Sequence, residues 1–349
     1  MTRSHLILCL LAIMTACKPT TMLEVVQPAL ITLPDHVNVL ATIDRSKPSS
    51  GFINVLEGGV TGESIHQDRD GRKNALDALA EALSRTPRFK VVHTGLEYTG
   101  TETGSTFAQP LPWDEIASIC EQYDADAVIA IEKFDTDNRR EVTSRKKKVK
   151  RDDKEIEVTV YDGSLEVDVH LGWRIYDLKS QRIIDEVDVS DGDNDSRSGV
   201  ETEDELLEDL ADARALTYRV SQRAGRKYAE RIAPIWITVN RSFYKKAKGP
   251  EQEEMAKAAR LFETDSWNEA VDIWHTIVER PSTSSEVKGM SAYNLAVAYE
   301  KRGMLPTALS WAQNAYGQHG NKKARNYVSI LQDRIHDQEI LREQLKQRS

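Results

Sequence analysis

The sequence predicts an α+β N-terminal domain, a mixed sheet with βαβ-like units and an antiparallel meander, followed by an all-α C-terminal domain. Strand and helix patterns alternate up to Ile131, apolar residues then fall at every second position from Leu165 to Ile175, and beyond residue 249 only helical spacing is left. A chain of 349 residues also exceeds the usual single core, which supports a division in two. The expected boundaries are 23–248 and 249–349.

Ahead of these, residues 1–16 read as an export signal and 17–22 as a tether. Arg3 precedes the apolar run Leu6–Met14, which is far shorter than the roughly 20 residues that span a bilayer. Leu23–Leu33 and Val37–Ile43 are expected as two strands meeting at Pro34-Asp35, with a Gly-rich loop from Ser46 to Gly71. Leu76, Leu79, Ala80 and Leu83 mark a helix over 70–85, and Phe89–Val92 follows as a short strand. Ile116, Ile119, Cys120 and Tyr123 share one face of a second helix. The run Ala127-Val-Ile-Ala-Ile131 after it suits a strand buried on both faces.

In the meander, Leu165, Val167, Val169, Leu171, Trp173 and Ile175 face the core, leaving Glu166, Asp168, His170, Gly172, Arg174 and Tyr176 toward water. With Ile156–Val160 and Ile183–Val189 this reads as three antiparallel strands. An acidic linker, Asp188–Glu205, leads into one long helix with a capping box at Thr202 and Glu205. Leu206, Leu210, Ala213, Val220, Ala224 and Tyr228 form its apolar stripe, and Pro234 ends it. Ile235–Val239 is compatible with a returning strand.

The C-terminal domain carries the more specific pattern. Leu295, Tyr299, Gly303, Ala308 and Ala312, with Ala296 and Ala315, fall on the spacing that resembles a tetratricopeptide (TPR) unit, and an upstream copy includes Ala270 and Trp274. Small residues let two helices approach, and Gly303 frees the turn between them. The helix over 322–345 is expected to cap the pair, because two repeats bury too little alone. The resemblance implies a concave face for an extended peptide or partner helix. Asn294, Lys301 and Asn326 are the polar candidates for it, whereas Trp267, Trp274 and Trp311 are expected as core.

Leu11-Ala12-Ile13-Met14-Thr15-Ala16 leads into Cys17 in a way that resembles the signal-peptide end of a bacterial lipoprotein. The resemblance implies cleavage before Cys17, palmitate and other acyl chains on it, and an outer-membrane position facing the periplasm, since Lys18 is not the aspartate of inner-membrane retention. Leu79–Val92 and Asp124–Ile131 resemble parts of the α/β domain of the curli-secretion and penicillin-binding-protein-activator lipoproteins. Residues 6–349 as a whole resemble uncharacterised bacterial lipoproteins that end in TPR-like helices.

Composition narrows the function. The whole chain has 47 basic and 56 acidic residues, a net charge of −9, and removing residues 1–16 takes only Arg3, so nucleic acid is not an expected partner. Only Cys120 remains besides Cys17 in the mature chain, which rules out an intramolecular disulfide there, and on an apolar helix face it reads as core. Asp191–Asp195 resembles the start of a calcium loop, yet Ser196 and Thr202 stand where glycine and glutamate are needed. Gly58–Gly62 lacks the lysine of a phosphate loop. The basic run Arg145–Arg151 suits a solvated hairpin tip, or a contact with anionic head groups or the acidic polymers of an envelope. No nucleophile elbow or metal-ligand spacing is present, so no cofactor, metal or enzymatic activity is expected. The reading is a lipid-anchored, non-catalytic adaptor or assembly factor with a protein or peptide partner. An oligomeric structural component of a secretion or cell-wall machine is the alternative, and an unrecognised hydrolase a third; oligomeric state is left open.

Overall fold

The computed structural model describes residues 19–48, 65–86, 88–101, 106–151 and 154–345. Contacts divide the chain into a sheet unit, Gln27–Ile235 with Leu341–Ser349, and a helical unit, Met1–Val26 with Trp236–Ile340. The fold class is the expected one, a mixed-sheet α+β unit and a helical unit. The division falls at 235/236 instead of 248/249, and the helical unit takes the first strand, β1 (Thr20–Gln27), which pairs with β7 (Ile235–Ser242) and not with its neighbour in sequence. β1 stops at Gln27 because Pro28 has no N–H to continue a ladder.

In the sheet unit, β2 (Val39–Lys47), α1 (Ile65–Ser84), β3 (Lys90–Thr99), α2 (Trp113–Tyr123) and β4 (Ala127–Arg151) build two parallel crossovers. β5 (Lys154–Asp177) and β6 (Arg182–Val200) continue antiparallel, giving the order β3-β2-β4-β5-β6. Alternation decides what each face buries. Leu40, Ile129 and Ile131 join α1 and α4 (Ala213–Ile232) in one core, while Ala41, Ile43, Val128 and Ala130 join α2 in the other. The apolar run at Ala127–Ile131 is therefore buried on both sides, as its composition requires. Gly225 carries no side chain where a Cβ would lie 2.2 Å from the Ala75 carbonyl oxygen, so α4 and α1 meet backbone to backbone.

Four expectations are corrected. Ile156–Val160 and Leu165–Ile175 are parts of one 24-residue strand, since Gly163 stays paired with Val142 and Asp162 with Thr143 on β4. The acidic stretch after Asp188 is not a linker but the continuation of β6 to Val200. The long helix is interrupted between α3 (Glu203–Asp209) and α4, where Asp195 accepts the Ala211 N–H and the Asp212 side chain caps α4 through the Arg214 N–H. Arg174 and Tyr176 are buried, because α2 and residues 106–112 cover the second face of the sheet at that end. Beyond Tyr161, where β6 stops pairing, β4 and β5 run on as a two-stranded ribbon exposed along most of its length.

The helical unit stacks α5 (Gln252–Glu263), α6 (Trp267–Glu279), α7 (Ser285–Lys301) and α8 (Leu305–Gly317), each beside the one before it, and the part of α9 (Lys322–Gln344) up to Ile340 meets α7 through Tyr327 against Tyr293 and Arg334 on Glu300. Ala270, Trp274, Leu295, Ala308 and Ala312 are fully buried in its core. Tyr299 is half-buried with its hydroxyl against His275, and Gly303 makes the α7–α8 turn at φ 74°, a region only glycine enters freely. Among the described residues no helix is long and apolar enough to cross a membrane.

Candidate functional site

The face of the helical unit that carries Asn294 already holds a segment, and it is the chain's own. Residues 241–247, the last two residues of β7 and the stretch after it, run across α5, α7 and the start of α9. The Asn294 side chain meets the backbone of Tyr244 twice: the Tyr244 N–H donates to Oδ1 at 2.7 Å and Nδ2 donates to the Tyr244 carbonyl at 2.7 Å. A primary amide that supplies one donor and one acceptor in this way copies the partner strand of a sheet. The neighbouring side chains are held as firmly. Phe243 is buried edge-on against Phe262 at 5.3 Å, and Tyr244 stands edge-on to Tyr293 at 5.5 Å with the Lys323 ammonium 4.4 Å from its ring.

Next to this segment lies a closed ion cluster. Glu300, whose side chain is wholly buried, accepts from Arg241 at 2.8 and 2.9 Å, from Arg334 at 2.6 Å and from the Tyr327 hydroxyl. Burial alone would raise its pKa, but the hydrogen bonds from Arg241, Tyr327 and Arg334 outweigh that and hold the carboxyl below its usual value. Burial and the Glu300 carboxylate push the Tyr327 hydroxyl far up. Both groups keep fixed charge states near neutrality.

The three candidate partner contacts are thus not equivalent. Asn294 is completely buried and committed to Tyr244, which corrects its assignment to an open groove. Lys301 has its ammonium 4.4 Å from the Trp267 ring and 3.2 Å from Asp265, so it pins the end of α7 to the α5–α6 turn. Asn326 alone of the three is exposed on α9. Arg241, Phe243 and Tyr244, which dominate this face, were not singled out by the sequence. The polar residues after them give no periodicity, and only the adjacent aromatic pair signalled burial.

The sheet unit offers a different arrangement at the point where open α/β sheets commonly take ligands, beyond the carboxyl ends of parallel strands whose crossovers leave on opposite faces. Here that point is filled. The Glu132 carboxylate, fully buried, accepts from Arg45 at 3.0 Å and from the Tyr176 hydroxyl at 2.6 Å and lies 3.2 Å from Arg174, which also bonds Glu186 at 2.7 Å. Burial and the bond to Glu132 raise the Tyr176 pKa, so its proton stays in place. A cavity of about 470 Å3 lies nearby, lined by Thr42, Asp44, Lys73, Asp77, His93 and Glu97 among others. Asp44 is engaged there by Arg72 at 3.0 Å and by Ser46, and the remaining charges are of both signs with no convergent set.

Asp191 and Asp193 are held by Arg223, Lys227 and Arg219, the arrangement of a charge-paired strand and not of a calcium loop. Cys120 is buried on α2, and burial followed by the nearby Asp126 and Asp177 charges pushes its thiol up to about 11, so it holds its proton at neutral pH. Cys17 and Gly58–Gly62 lie outside the described residues.

Comparison with known proteins adds kinship. A search of curated proteins returns no match. Among solved structures, the chain is similar to the PelC dodecamer from Paraburkholderia phytofirmans, at 11% identity, with 59% of this chain and 96% of that one covered and a TM-score of 0.21. It is also similar to a protein from Helicobacter pylori described as a putative neuraminyllactose-binding hemagglutinin homolog, at 10% identity over 56% and 84%, with a TM-score of 0.24. Scores this low say nothing of assembly or ligand. Residues 256–333 match the domain of unknown function DUF6340. Residues 37–244, more than half of the chain and nearly all of the sheet unit, match the model of the domain of unknown function DUF8603, and the chain belongs to that family.

Proposed function

We propose that the protein is a lipid-anchored, non-catalytic adaptor or assembly factor of the cell envelope, in which TPR-like helices form the binding element. The observation that supports this is the grip on residues 241–247. An array that holds a segment through a backbone-directed amide and two aromatic contacts has the chemistry of peptide recognition, exercised here in cis. With the Asn294 face taken, a partner would meet exposed residues elsewhere on the unit, among them Met304, Tyr316, Asn326 and Ile330. Acylation at Cys17 would confine that surface to one membrane face, the outer membrane on its periplasmic side, and raise its effective concentration for other envelope proteins.

Photoreactive residues placed at Tyr316, Asn326 and Ile330 in intact cells test the adaptor reading. One discrete adduct of the full-length chain, identified by mass spectrometry, is the expected result, and silence from all three positions removes the support for a partner on this unit. The anchor is tested separately. Cys17→Ser is expected to abolish palmitate incorporation and release the protein from the membrane fraction, whereas labelling equal to that of the wild type would refute the site.

A further inference from the structure

The β4–β5 ribbon distributes its charge unequally between its two sides. Directly opposed residues of antiparallel strands share a face, and successive residues alternate between faces. The register Arg145↔Val160, Lys147↔Val158 and Val149↔Ile156 therefore gathers these six on one side, with Lys154 two positions before Ile156 on the same side. The other side interleaves its charges: Lys146 lies 3.7 Å from Glu157, and Lys148 stands directly opposite that glutamate. Among the strand residues of this first side, 145, 147 and 149 of β4 and 154, 156, 158 and 160 of β5, none is a carboxylate; the first is Asp162, at the base of the ribbon, which is taken up by Arg145 at 2.6 Å and by Ser198 and the Gly199 N–H. Lys147 and Lys154 are exposed, with no carboxylate within ion-pair distance among the described residues, beside Ile156, which is 39% exposed, and the half-buried Val149 and Val158.

We infer that this side of the ribbon docks on an anionic lipid surface, with Lys147 and Lys154 at the headgroup phosphates and Ile156 and Val158 entering the boundary between headgroups and acyl chains. Charge complementarity selects this occupant. The chain carries a net −9 and as a whole is repelled by an anionic bilayer, so attraction requires a local basic excess, and the strand residues on this side of the ribbon supply one. The side-chain types separate a membrane from a protein partner. Protein interfaces are depleted in lysine at their centres and anchored by Trp, Tyr and Arg, whereas lysines bordering branched aliphatic residues suit the lipid interface. A soluble polyanion would find the lysines but gain nothing from Ile156.

The test uses the unlipidated chain from Lys18, which keeps every described residue and removes the apolar leader. Sedimentation with phosphatidylcholine vesicles containing one third phosphatidylglycerol is compared with pure phosphatidylcholine. Binding to the mixed vesicles alone, weakening as salt rises, is expected. Lys147→Gln with Lys154→Gln should weaken it roughly 25-fold, about fivefold per lysine, and the corresponding double arginine variant should restore it. Ile156→Ser should weaken vesicle binding while leaving any binding to soluble polyphosphate unchanged. Absence of binding to the mixed vesicles, an unaffected glutamine variant, or an Ile156→Ser variant that binds vesicles like the parent would each overturn the inference. All of the substituted side chains are exposed, so the thermal transition stays in place and the readout reports the surface. None of these outcomes depends on Cys17 or on a protein partner.

Discussion

Glu132→Ala is expected to cost about 3–5 kcal/mol and to lower the melting temperature of the sheet unit by roughly 10 °C. The magnitude follows from what is left behind. Arg45 and Arg174, with side-chain exposures of 9% and 3%, lose the carboxylate between them, and only Arg174 has another, Glu186. The Tyr176 hydroxyl also loses the acceptor of its proton. Uncompensated buried charge is more costly than the pair is beneficial, so Glu132→Leu combined with Arg45→Met should lose less than Glu132→Ala alone. Differential scanning calorimetry of the three chains decides the point. A double variant less stable than the single one would mean that the ion pair is a net stabiliser and not a tolerated burial.

Glu300→Ala is expected to cost a similar 3–5 kcal/mol in the helical unit, since it frees Arg241, Arg334 and the Tyr327 hydroxyl at once. This carboxylate also gives the unit a pH dependence of definite sign. Its pKa in the folded state lies below the 4.5 of the free side chain, so the folded state binds fewer protons there than the unfolded one. The contribution is complete above about pH 4.5 and is lost as the pH falls toward and through the folded-state value. Urea unfolding between pH 7 and pH 3, followed through the helical signal, should show the wild type converging on Glu300→Ala as the pH drops. Parallel curves over that range would assign the acid sensitivity to other carboxylates.

How much of this was legible in the sequence differs between elements for physical reasons. The buried run Ala127–Ile131 and the alternation from Leu165 to Ile175 read directly, because a face that must exclude water leaves period two in the residues themselves. The pairing of β1 with β7 did not, since strand partners far apart in sequence leave no local trace. The merging of the meander strands was hidden by Asp162-Gly163, a turn-forming pair overridden here by continuous pairing with β4. The repeat spacing located Ala270, Trp274, Leu295, Ala308 and Ala312 in the core, because helix-to-helix approach demands small or shape-filling residues at fixed intervals. The same spacing offered Asn294 as a partner contact, and it could not show that this side chain is buried against the chain's own Tyr244. That depended on Phe243 and Tyr244 folding back, which no periodicity encodes.

The pairing of β1 with β7 also orders events in time. A chain made from its N-terminus holds Thr20–Gln27 without its strand partner until Ile235–Ser242 has been synthesised, and closing a loop of that length from a disordered chain carries a large entropic penalty. The sheet unit removes most of that penalty when it folds. Its Ile31 N–H donates to the Arg231 carbonyl at 3.0 Å, so the two ends of the intervening chain are brought together before β1 and β7 need to meet. The folded sheet unit thereby shortens the loop that β1–β7 pairing has to close.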